Sequence, residues 1–275
     1  MLQVLHCQAK VVLLSVVFIY SFQYNQNMWR GGRRSSIGIS HEEAASRSSI
    51  PRPSQIPAVP ETYLAPITFY VIGHSFVQRA MTLAVSQPHR FPRLQASSGT
   101  RFIGLPGATA MSLLDHLQRD IFPMSRPRVP PHVTVHAGEN ELDNRDLTEG
   151  PEFYVDWLLE LLSFLFRAGA QKIAVIKLYP RGESPNPDRR RRPLEDFECR
   201  RNVYNAVLVS RARIRFGDQV IFFQQNAYQR VAPHHRFLLD GVHLQPERLR
   251  TYTHILQRTR SLLERECPIA PGSSL

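Results

Sequence analysis

From Ile67 onward, short apolar and β-branched runs alternate with stretches of helical spacing, and this alternation limits the chain to few architectures. Residues 67–72 read as a buried strand ended by Gly73, followed by a helix over 76–85 before Pro88 and Pro92. A second strand falls at 101–105, and a helix at 110–121 carries Met111, Leu114, Leu117 and Ile121 on one stripe. After a proline-rich break comes a third strand at 132–137. A long helix follows at 151–168, with Phe153, Trp157, Leu158, Leu161, Leu162 and Leu165 along one face and Gly169 as its stop. Residues 172–178 are nearly all apolar, as a strand covered on both faces requires. A helix at 199–213, a fifth strand at 220–223 with Phe222 and Phe223 in the core, and a last helix at 246–264 complete the series. Strands alternating with helices predict a parallel sheet of five strands with helices on both faces.

The flanks have a different character. Lys10 precedes an apolar run of 12 residues at 11–22, close to a signal-peptide core and short of the roughly 20 residues of a membrane span. No small-residue cleavage site follows it, so residues 1–27 read as an apolar leader, either a signal or anchor or a loosely attached segment. Cytoplasmic residence is favoured over secretion, in keeping with the lack of any Asn-x-Ser/Thr sequon. Residues 28–62 are rich in Arg, Ser, Gly and Pro and are expected to be a disordered linker. The folded domain is expected over 63–267, with a tail at 268–275; the oligomeric state is not legible.

The net charge of +11 invites a polyanion partner, yet all but three of the 34 basic residues are arginine, spread through helices and loops alike. Nucleic acid is therefore the lesser expectation. The four arginines at 189–192 lie in a proline-rich stretch, 179–197, that reads as an irregular, charged loop outside the core. Cys7, Cys199 and Cys267 are odd in number and widely spaced, which indicates neither a zinc knuckle nor a disulfide framework. His234 and His235 are adjacent and point apart in extended chain, so no metal site is expected.

Four short motifs sit where strands end: Gly73-His74-Ser75, Gly107, Gly138-Glu139-Asn140 and Asp240-Gly241-Val242-His243. Open α/β sheets gather ligands at that edge. Ser75, at a strand-to-helix turn, suits a nucleophile; as a bare serine there it equally suits a helix cap. Asp240 and His243, three apart, can form a carboxylate–imidazole pair that serves as a base, or a structural pair at a helix start. Asn140 can aim an amide N–H at an oxyanion or form an Asx turn, and Gly107 can offer its N–H or only a positive φ.

Taken together, these motifs resemble those of the SGNH hydrolase superfamily, the GDSL-like esterases, over about seven tenths of the chain. Ser75, Gly107, Asn140 and His243 match its four name-giving residues. The resemblance implies a flavodoxin-like three-layer α/β/α fold and ester hydrolysis by a Ser75-His243-Asp240 triad. Its oxyanion hole would be the N–H groups of Ser75 and Gly107 with the Asn140 amide; no cofactor or metal is implied. The substrate would be a small-molecule, glycan or lipid ester. Two residues depart from the family pattern: His74 replaces the usual Asp before the serine, and Glu141 replaces the Asp after the asparagine. With Gly73, Gly138 and Glu139 they form the expected shell of the site. A weaker resemblance to esterase-like domains of transposable elements supports an alternative, a catalytically silent module binding nucleic acid or an acidic partner through arginines.

Overall fold

A computed structural model describes residues 66–122, 129–182, 191–223 and 241–268. The leader and linker lie outside the described residues. Five strands form one parallel sheet: β1 (Phe69–Gly73), β2 (Thr100–Gly104), β3 (His132–His136), β4 (Lys172–Ile176) and β5 (Val220–Phe223), in the order β2-β1-β3-β4-β5. Every residue of β1 and β3 is buried, whereas β2 and β5 at the edges keep exposed or half-buried positions. This explains why β1 reads as an unbroken apolar run. Phe222 and Phe223, expected in the core, are half-buried, because β5 is an edge and its side chains pack one onto each face.

Among the described residues, six α-helices connect and cover the strands: α1 (Ser75–Ser86), α2 (Ala110–His116), α3 (Glu139–Asp143), α4 (Pro151–Arg167), α5 (Leu194–Phe216) and α6 (Pro246–Glu266). Successive strand residues point to opposite faces. Tyr70, Ile72, Val133, Val135, Ile173 and Val175 meet α2, α4 and α5, while Phe69, Val71, Ala174 and Ile176 meet α1 and α6. The result is the expected three-layer α/β/α sandwich of flavodoxin-like order. Among the described residues, no helix is long and apolar enough to cross a membrane.

Three local expectations need correction. The helix expected over 110–121 is α-helical only to His116 and continues as a π-turn at Leu117–Ile121, which keeps Leu117 buried. Helix α5 starts at Leu194, five residues before the expected position, because Phe197 continues the buried stripe of Tyr204, Leu208 and Ala212 and because Glu195 and Asp196 suit a helix N-terminus. The start of the supposed surface loop is also interior: Tyr179 is buried and packs on Phe76 and Tyr252.

In this strand order the chain turns away in opposite directions from β1 and β3, leaving a crevice between their carboxyl ends. Gly73 and His136 face each other across it. A Cβ on Gly73 would lie 2.3 Å from the His136 carbonyl oxygen, so only glycine lets the two strands run this close.

Candidate active site

Ser75 is the first residue of α1 and His74 its N-cap, with no side-chain cap hydrogen bond. The capping alternative for Ser75 is thereby excluded. The His74 carbonyl accepts from the amides of Val77 and Gln78, and the Ser75 amide lies in the first turn, where the helix itself offers no acceptor. Such an amide is a ready donor to an anion.

Beneath Ser75 lies a buried cluster. His74 Nε2 is 2.7 Å from Glu139 Oε2, and His74 Nδ1 is 3.5 Å from Ser75 Oγ. His136 Nε2 approaches the other carboxylate oxygen, Glu139 Oε1, at 2.7 Å, though poorly aligned for a hydrogen bond. His136 Nδ1 is 2.9 Å from the Tyr252 hydroxyl. Burial alone would raise the Glu139 carboxyl, but the His136 and His74 imidazoles outweigh it and hold the group well below its ordinary range. Burial lowers His136 despite the carboxylate, and its Nδ1 shares a hydrogen bond with the Tyr252 hydroxyl.

The cysteine spacing and the pair His234-His235 pointed to no metal site, yet the fold brings donor atoms of His74, His136 and Glu139 within 4.8 Å of one another. His136, Tyr252 and Tyr179 were missed as site residues. The one available signal for His136 was a histidine at the carboxyl end of a strand.

Helix α3 was not expected, being a single turn in a polar stretch. It begins after Gly138, whose φ of 125° and tight contact with the Tyr204 hydroxyl, 2.6 Å from a hypothetical Cβ, both demand glycine. Asn140 Nδ2 donates to the Ala108 carbonyl at 2.8 Å, and Glu141 Oε1 accepts from the Ala110 amide at 2.5 Å. These two side chains tie α3 to the turn that carries Gly107, so the Asx-turn alternative for Asn140 does not describe it. Gly107 is exposed with φ 73°, and Leu105 anchors its loop to β1 by an N–H bond to the Gly73 carbonyl at 2.9 Å. Burial, partly offset by the Ala110 amide, pushes the Glu141 carboxyl up to about 7.

Ser75, His74, Glu139 and Asn140 line one pocket together with Tyr179, Arg181 and Val242. Gly107 is not part of its lining. Val242 brings the loop bearing His243 to the pocket, and buried Leu244 fixes that loop against the α1 and α6 side of the core. Asp240 lies outside the described residues.

The arginines near the site are engaged. Arg181 pairs with Asp143, donates to the Glu139 carbonyl and covers the Phe197 ring. Arg191 faces Asp143 at 3.5 Å, and Arg192 donates its amide to the Asp143 carbonyl and its guanidinium to Asp196. The described half of the four-arginine run is thus fastened to the end of α3. Elsewhere Arg211 and Arg215 of α5 pair with Asp156 and Glu160 of α4, and buried Arg260 binds the strand β2 side of the sheet through Thr100.

The chain matches no protein-family model and no curated protein by sequence. Its structure is similar to that of a GDSL-like lipase from Bacteroides thetaiotaomicron, with a TM-score of 0.54 at 16% identity over 72% of this chain and 88% of the lipase. It is also similar to an α/β hydrolase enzyme from the metagenome of Lake Arreo, Spain, with a TM-score of 0.51 at 18% identity over 73% of this chain and 98% of that enzyme. These likenesses agree with the strand order: the chain has the three-layer α/β/α fold of the GDSL-like lipase.

Proposed function

We propose that the protein is a serine esterase or acyl hydrolase of SGNH type. The observation that carries this reading is the position of Ser75: first residue of a helix, at the switch point of the sheet, sharing one pocket with Asn140 and the loop of Val242. In the proposed reaction Ser75 attacks an ester carbonyl while His243 takes its proton, and Asp240 orients and stabilises the imidazolium. The Ser75 amide, the Gly107 amide and the second N–H of Asn140 Nδ2 bind the oxyanion. Only one of the two Asn140 hydrogens is used by Ala108. Water then hydrolyses the acyl-enzyme, with His243 again as base.

The substrate would be a small-molecule, glycan or lipid ester, with no cofactor required. Hydrolysis of p-nitrophenyl acetate and butyrate by the full chain, with Ser75→Ala in parallel, tests the reading. Activity in wild type that disappears in the variant supports it; equal activity in both, or none in a folded wild-type protein, overturns it.

A further inference from the structure

His74 stands where SGNH hydrolases usually carry an aspartate, and its two ring nitrogens have different partners. Nε2 meets the Glu139 carboxylate at 2.7 Å and Nδ1 meets the Ser75 hydroxyl at 3.5 Å. An ionised carboxylate can only accept, so Nε2 carries the hydrogen, and Nδ1 of the ring in its neutral form presents a lone pair to the serine. The other oxygen of Glu139 faces His136 Nε2 at 2.7 Å, and Tyr252 bonds the far nitrogen of that ring. Carboxylate, imidazole and hydroxyl therefore stand in the order that activates a serine, assembled from residues 139, 74 and 75 without the loop at 240–243. The 3.5 Å separation is long for a hydrogen bond, as contacts between catalytic groups commonly are before substrate binds.

We propose that His74 is a second general base for Ser75, with Glu139 as its positioning carboxylate. This rests on the esterase reading above and goes beyond it, since the family resemblance assigns the proton to His243 alone. As Ser75 Oγ bonds to the acyl carbon, its proton passes to His74 Nδ1, and the imidazolium is stabilised by Glu139. The same proton leaves with the alkoxide when the ester C–O bond breaks. In deacylation a water gives a proton to Nδ1 as its oxygen bonds to the acyl carbon, and Ser75 Oγ recovers that proton as the acid departs. Each turnover consumes one water and one ester and yields one acid and one alcohol.

The test is a double-mutant cycle on the full chain, reading the rate at which diisopropyl fluorophosphate modifies Ser75 by intact mass and peptide mapping. The variants are His243→Ala, His74→Gln and the two combined. Glutamine places an amide N–H near the position of Nε2 and so keeps a donor for Glu139, but offers no lone-pair nitrogen to Ser75. A second base predicts that His74→Gln slows labelling a few-fold with His243 present and on the order of a hundredfold in the His243→Ala background. Equal factors in both backgrounds would assign His74 a purely structural role and overturn the proposal. No labelling of wild-type Ser75 would overturn the esterase reading and the second base with it. Should His74→Gln fail to fold, Glu139→Gln in the same two backgrounds makes the comparison, with the larger loss again expected where His243 is absent and equal losses overturning the proposal.

Discussion

Nε2 of His74 lies 2.7 Å from Oε2 of Glu139, and both side chains are buried at the carboxyl edge of the sheet. The pair links the residue before the serine to the first residue of α3, so β1 and β3 are joined by side chains where the crevice opens. Because Glu139 is held well below the ordinary value of 4.5, the unfolded chain binds the proton first as pH falls. The contribution of Glu139 to stability is therefore present above about pH 4.5 and lost below it. In denaturant titrations at pH 3 to 5, Glu139→Gln is expected to flatten this acid limb.

Glu141 titrates in the opposite sense. Its folded pKa, raised to about 7 from 4.5, means that between these values the folded protein holds a proton the unfolded chain has released, so stability falls as pH rises through that window. The loss amounts to on the order of 3 kcal/mol by pH 8. Glu141→Gln can still accept from the Ala110 amide, and its unfolding free energy is expected to show no such decline between pH 5 and 8.

Ser75→Ala should leave the fold intact, because Ser75 is only half-buried and caps nothing. We expect a change in unfolding free energy within about 0.5 kcal/mol. Turnover of p-nitrophenyl butyrate should fall by a factor on the order of a thousand or more.

Asn140→Ala removes the donor to the Ala108 carbonyl together with a proposed oxyanion donor. Steady-state kinetics should show kcat reduced about a hundredfold or more with KM little changed. Thermal unfolding should report a loss of roughly 1 kcal/mol from the broken tie between α3 and the Gly107 loop. A drop in stability with kcat unchanged would leave Asn140 a structural residue only.

Gly73→Ala places a methyl group 2.3 Å from the backbone oxygen of His136, which no side-chain rotation relieves. Separating the central strands should cost more than about 3 kcal/mol, read as a lowered midpoint in urea. Gly107→Ala meets nothing within 4 Å and suffers only from its φ of 73°, so it is expected to be far milder, about 1 kcal/mol.

The element order was legible because buried strands and amphipathic helices leave periodic signals in the residues that make them. The runs before Gly73 and Ala137 and the stripe of α4 predicted strands and a helix close to those observed. The early start of α5 was obscured by Pro193 and the charged residues around it, whose helical state depends on Phe197 finding a place against the core. Helix α3 is a single turn, too short to show a period, and is held by contacts of Asn140 and Glu141 with a loop some thirty residues earlier. The arginine excess had suggested a binding surface, whereas Arg181, Arg192, Arg211 and Arg260 are engaged in bonds within the fold that local spacing does not reveal.

Sequence alone determined the alternation of strands and helices and the parallel sheet, since each follows from local propensity and pattern. Tertiary structure alone decided that His74, Glu139 and His136 meet. His74 follows β1 as the N-cap of α1, while His136 ends β3 and Glu139 opens α3, so their meeting depends on which strand pairs with which. Charges and tautomers in that cluster are set by burial and by partners up to 116 residues away, as for His136 and Tyr252, a distance over which no periodicity carries information.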